Sequence, residues 1–212
     1  MFKAIIYTGK GTDMTDNNYT KNSKMNPKHY ILCAFFAAFI AVLSQIQIPL
    51  PFTPIPISLG VLAIIITGGV LGVKKGLISI VVYILLGIIG IPVFTGFQGG
   101  ISALAGPTGG YIIGYIPMGV IVAAITSYAF KNSRDKKWPI YIETALVALG
   151  AVIGAFVCYV FGTAWFMFMT GNGLMESLVM CVIPFIPGEI IKIIAFVVIM
   201  EALKKPIAKL VA

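Results

Sequence analysis

Six apolar stretches follow one another along this 212-residue chain, at about 30–47, 57–73, 76–91, 110–130, 140–168 and 187–204. Nothing else in the sequence limits the fold as tightly. A hydrocarbon core of about 30 Å takes about 20 helical residues at 1.5 Å each, and a soluble core helix would carry a polar stripe that these runs lack. Only 10% of the residues are charged and 59% are hydrophobic, against about 25% charged in a soluble domain. The chain therefore reads as all-α, a polytopic membrane protein with six transmembrane helices. The second and third runs are short for a span, which implies little tilt or a locally thinned bilayer. The fifth is long enough to cross and still extend on one side.

Charge placement orients the six runs. Lys21, Lys24 and Lys28 precede the first, Lys74 and Lys75 separate the second from the third, and Lys131, Arg134, Lys136 and Lys137 separate the fourth from the fifth. Lys204, Lys205 and Lys209 follow the sixth. The other connectors, "IPLPFTPIP", "PVFTGFQGGISALAGPTGG" and "TGNGLMES", hold no basic residue. All basic clusters thus fall on one side together with both termini, and the positive-inside rule makes that side the cytoplasm. The same distribution explains the net charge of +8 without nucleic acid, since no basic helix or large polar domain is present.

Residues 1–24 are polar and lack the apolar core of a secretory signal. They read as a disordered extension ahead of a membrane domain at 25–212, with Met25 a plausible start. Their "TGKGT" lacks the upstream glycine of a phosphate-binding loop. Cys33, Cys158 and Cys181 stand singly, in no metal-binding or disulfide pattern, and His29 reads as interfacial. No metal or cofactor is expected.

The uncharged connectors differ in chemistry from the basic ones. The first packs Pro49, Pro51, Pro54 and Pro56 together, which excludes regular helix. The third is rich in glycine yet carries Phe94, Phe97, Leu104 and Tyr111. Loops of that length are usually functional or disordered, and the aromatics argue for an ordered cap over an outward-facing cavity.

"PFIPGEIIK" supplies the chemistry beneath that cap. Lys192 is the one basic residue outside the extension and the basic clusters, and Glu189 at i−3 projects from the same helical face. Pro187 suits the start of a helix, leaving Glu189 in the first turn, where the dipole favours an anion. Ionisable groups inside a membrane are costly and usually face a cavity. The alternative is an ion pair that merely locks the sixth helix. Gln98, Thr108 and Tyr111 in the third loop, Thr53 and Ser58 around the first, and the aromatics Phe52, Phe94, Phe97 and Trp165 complete a candidate pocket for a small polar molecule with an anionic end. Gln45 and Gln47 read as interfacial. Ala34 and Ala38, and likewise Ala37 and Ala41, form small-xxx-small rows that let another helix approach closely.

No nucleotide-binding, zinc-protease or serine-hydrolase motif occurs, nor a chain of acids that could relay protons. These residues leave three readings open: a binding subunit driven by an external motor, a self-sufficient channel or facilitator, and a membrane enzyme.

Taken in order, "PFTPIPISL", "GIPVFTGFQGGISALAGPTGGYIIGY" and "PFIPGEIIK" resemble the BioY family over about residues 28–205. The resemblance implies a non-enzymatic, six-helix S component of an energy-coupling-factor (ECF) vitamin transporter in a prokaryotic cell membrane. It implies biotin as the ligand and, as partners, a transmembrane coupling subunit with two cytosolic ATPases. An S component for another small vitamin stays open beside it. It further implies Gln98, Glu189 and Lys192 as pocket residues and Ala34, Ala38 and neighbours as a docking row. The chain departs from the pattern twice: the sixth-helix acid is Glu189 rather than Asp, and Gly60 stands where a glutamine is common.

Overall fold

The computed structural model describes residues 27–136 and 138–211, and the extension expected at 1–24 lies outside them. The elements run α1 (Pro27–Ser44), β1 (Gln47–Ile48), β2 (Ile57–Ser58), α2 (Gly60–Ile88), α3 (Ile101–Leu104), α4 (Gly109–Lys136), α5 (Ile140–Thr170), α6 (Leu174–Cys181), a 3₁₀ turn at Ile183–Phe185, and α7 (Ile186–Val211). Five stretches among the described residues are long and apolar enough to cross a membrane: Pro27–Ser44, Gly60–Ile88, Gly109–Ser133, Ile140–Thr170 and Leu174–Lys204. The expected all-α polytopic architecture holds.

The second stretch is folded back on itself. At Gly72 the backbone takes φ 71° and ψ −178°, a conformation that side-chain-bearing residues rarely adopt. The chain reverses there. Gly60 and Tyr83 both reach Ser44 of α1, and a Cβ added at Gly76 would sit 3.3 Å from Gly68 Cα. The expected 57–73 and 76–91 segments are thus two antiparallel arms, at 60–71 and 73–88, with no loop between them; Lys74 and Lys75 begin the second arm. The first arm passes α4 so closely that a Cβ at Gly68 would fall 2.6 Å from Gly119 O. Because lipid is as apolar as leucine, small residues of this kind let the backbones approach and pack.

The bundle is polarised between a packed face and an exposed one. On α5, Val147, Gly150, Ala151, Gly154, Ala155 and Cys158 are buried, while Leu149, Val152, Ile153, Phe156 and Val160 are exposed. Apolar exposure of this extent suits hydrocarbon and not water. α5 and α7 are tied at two levels. Tyr159 of α5 donates to Glu189 at one level, and Thr144 donates to Glu201 Oε1 over 2.8 Å at the other. Next to Thr144, the fully buried Glu143 pairs with Lys204 Nζ. Cys33, Cys158 and Cys181 are free and buried.

The connectors without basic residues are ordered. Residues 47–58 close as a two-residue antiparallel ribbon, Gln47 opposite Ser58 and Ile48 opposite Ile57. The third connector carries a Phe94–Gln98 bridge and helix α3, and Gly100 N–H donates to Gly87 O over 2.7 Å. The fifth holds α6, which the sequence reading treated as loop.

Candidate ligand-binding site

α7 starts where its sequence suggested, with Glu189 in the first turn. Lys192 Nζ donates to Glu189 Oε2 over 3.1 Å, and the Tyr159 hydroxyl donates to the same oxygen over 3.2 Å. Glu189 is 6% and Lys192 5% exposed. The second carboxylate oxygen, Oε1, is buried with no hydrogen-bond partner among the described residues. A carboxylate stripped of water on one side is costly unless another donor reaches it.

Lys192 and Tyr159 form part of the wall of a cavity of about 60 Å³, room for a few water-sized groups. Tyr83, Tyr111, Tyr115, Phe94 and Phe185 supply its aromatic sides, and Ser58, Thr95 and Thr108 its hydroxyls. Tyr83 and Tyr111 are held by their own bonds. Tyr83 shares a 3.2 Å hydrogen bond with Ser44, and Tyr111 donates to Cys181 O over 3.0 Å. Phe94 stacks edge-on against Tyr83 at 5.6 Å between centroids. Gly87 has no side chain to displace the Phe94 ring, which occupies the place of a Cβ. Above this chamber lies a more open cleft of about 290 Å³ lined by Gln47, Pro49, Leu50, Thr53, Gly96 and Gln98. Pro56, Thr95 and Thr108 border both spaces.

The residues expected to form the pocket are therefore divided. Lys192, Tyr111 and Thr108 line the inner chamber, with Glu189 behind Lys192 and Tyr159. Gln98 lines the outer cleft and is exposed. Phe52 and Phe97 line neither space; they are 55% and 71% exposed, whereas Phe94, expected beside them, lines the inner chamber. Trp165 acts as a staple, its indole N–H donating to Gly106 O over 3.0 Å. Of the alanine rows, Ala34 and Ala38 are exposed, whereas Ala37 is 1% exposed and packs in the core, which removes it from any outward docking face.

Tyr83, Tyr115 and Tyr159 escaped the sequence reading. Each sits in an apolar helix and was legible only as a hydroxyl at depth, the kind of group that finds a partner when buried. Gln45 was misjudged. It is no interfacial side chain, because its carboxamide bonds to Ala41, Val93, Phe94 and Phe97.

An all-helical membrane bundle enclosing a small chamber, with aromatic walls, one cation and one half-satisfied carboxylate, defines a membrane-embedded binder of small solutes. The family model for the BioY family matches residues 17–209, and the chain belongs to that family. A probable biotin transporter BioY from Pyrococcus horikoshii is 36% identical over 180 residues, 85% of this chain and 98% of that protein. The biotin transporter BioY of Lactococcus lactis subsp. cremoris is 37% identical over 187 residues, 88% of this chain and 94% of that protein. A crystal structure of the S-component for biotin from an ECF-type ABC transporter superposes with a TM-score of 0.72 at 34% identity, covering 88% of this chain and 94% of that one. The chain is a multi-pass plasma-membrane protein.

Proposed function

We propose that the chain binds biotin at the outer face of the membrane and delivers it inward as the S component of an ECF transporter. The observation that carries this reading is the unpartnered, buried Oε1 of Glu189 beside Lys192, next to an aromatic chamber. Biotin supplies the complementary groups. Its ureido N–H groups suit the carboxylate, and its ureido oxygen or valerate carboxylate suits the Lys192 ammonium. Its thiophane ring and tail suit walls of tyrosine and phenylalanine. Thr108 and Tyr111 add hydroxyls, and Gln98 meets the ligand from the cleft side.

Counted separately, the two arms of α2 raise the five spanning stretches to six crossings, with both termini and the Gly72 reversal, next to Lys74 and Lys75, on the cytoplasmic side. The role is binding and delivery rather than catalysis. A transmembrane coupling subunit and two cytosolic ATPases supply the energy. Ala34 and Ala38, exposed on α1, form the row on which the coupling subunit packs.

Equilibrium binding of labelled biotin to the detergent-purified chain tests the reading. Saturable binding at one biotin per chain, without nucleotide, is expected; absence of saturable binding refutes it. Biotin permeation into liposomes holding this chain alone, without measurable binding, would instead identify a facilitator.

A further inference from the structure

Gln45 stands just past α1, and its carboxamide holds the turn at residues 93–98. Nε2 donates to Ala41 O (3.1 Å) in its own helix and to Val93 O (3.0 Å) and Phe94 O (3.2 Å) across the chain. Two amide hydrogens are thus shared among three carbonyls. Oε1 in turn accepts from Phe97 N–H over 2.8 Å. All three turn contacts are 48 to 52 residues distant in sequence, so they create tertiary structure rather than cap a helix.

The turn so held is strained. Phe97 has φ 56°, the only positive value at a non-glycine among the described residues. Left-handed backbone at a bulky residue persists only where surrounding bonds enforce it. Phe97 is itself largely exposed, so packing does not enforce it; the Phe94–Gln98 bridge and the bond from Phe97 N–H to Gln45 do. The same turn is the partition between the two spaces of the site. Phe94 and Thr95 face the inner chamber, while Thr95, Gly96 and Gln98 face the outer cleft. Thr95 of this turn forms the border between the two spaces together with Pro56 and Thr108, and with about 60 Å³ free inside a ligand entering from the cleft has to move part of that border.

We infer that Gln45 is a positioning residue that latches the 93–98 turn shut and thereby sets the rate of ligand exchange. The inference rests on the proposed binding of biotin in the inner chamber. Its bonds exist only while the turn is closed, so losing them shifts the free protein toward open forms and lowers the barrier in both directions. As long as the closed form still dominates, affinity changes little.

The test uses full-length chain in detergent, with Gln45→Ala and with Gln45→Met, which keeps length but cannot hydrogen-bond. Association is followed by tryptophan fluorescence and dissociation by chasing labelled biotin with unlabelled biotin. Both rates are expected to rise by at least about tenfold, the equivalent of losing one or two of the four bonds, with Kd shifting less than about threefold. Hydrogen exchange on the ligand-free variants is expected to quicken at residues 93–98 and not elsewhere in the bundle. Unchanged exchange at 93–98 together with unchanged rates overturns the latch. So does a rise in dissociation alone, which would make Gln45 a support of the bound state only. Failure of the wild type to bind biotin would sink the functional reading instead, and the exchange measurement, which needs no ligand, tells the two apart.

Discussion

Replacing the Glu189–Lys192 pair one partner at a time, and then together, separates a binding pair from a structural one. Lys192→Met leaves a carboxylate buried with a single donor, Tyr159, on Oε2 and nothing on Oε1. Breaking one side of a buried ion pair costs about 3–5 kcal/mol, so the ligand-free variant should unfold at markedly lower temperature. Glu189→Gln strands the ammonium and should do the same to a lesser degree, because the amide oxygen can still accept from Tyr159. The double variant Glu189→Gln/Lys192→Met removes both charges at nearly constant volume, and replacements of that kind are often neutral or stabilising. Its unfolding temperature should return to near that of the wild type.

Biotin binding should not return with it. Charge-assisted hydrogen bonds contribute about 1.5–3 kcal/mol each, and about 1.4 kcal/mol corresponds to tenfold in Kd. The double variant should therefore bind at least about tenfold more weakly. The assays are thermal unfolding of the ligand-free protein and equilibrium binding of labelled biotin, both in detergent. Recovery of both stability and affinity to within about threefold of wild type would refute the reasoning and make the pair a lock on α7 alone.

Three further outcomes are expected. Gly72→Ala, at φ 71° and ψ −178° with only Ser127 Oγ near its Cβ position, at an ordinary 3.6 Å, should cost about 1–3 kcal/mol through backbone strain alone, lowering the unfolding temperature without altering biotin affinity per folded molecule. Lys204→Met should destabilise more than Glu143→Gln, by about 3–5 kcal/mol, because it leaves a fully buried carboxylate unpaired whereas Lys204 is 37% exposed; equal thermal shifts would contradict this. Ala38→Trp should leave biotin binding intact while reducing uptake by cells that carry the partner subunits, and loss of binding would point to a disturbed bundle instead.

Much of this architecture was legible because lipid imposes a simple rule: apolar length and basic connectors reveal the spans. The Glu189–Lys192 pair was legible for the complementary reason, that charge in an apolar helix is too costly to be incidental. The hairpin at Gly72 was half visible. Hydropathy dipped at Lys74 and Lys75, yet nothing in composition separates a loop from a one-residue reversal, which depends on a single backbone angle. Phe52 and Phe97, which line neither space, share the loop chemistry of Phe94, and sequence does not show that Phe94 meets a helix, at Gly87, with room for its ring. Gln45 was beyond reach, because a polar residue just beyond a membrane helix looks the same whether it faces headgroups or grips a turn 50 residues away.

The paired ties between α5 and α7 have a mechanical consequence. Helices pinned at one level can scissor; pinned at two, they behave as one plate. Prising this plate open would require breaking the Tyr159–Glu189 contact and the Glu143–Lys204 and Thr144–Glu201 contacts together. The chamber therefore has a rigid back wall formed by α5 and α7. The compliance needed to admit and release a molecule falls on the opposite side, in the proline- and glycine-rich segments joining α1, α2 and α4.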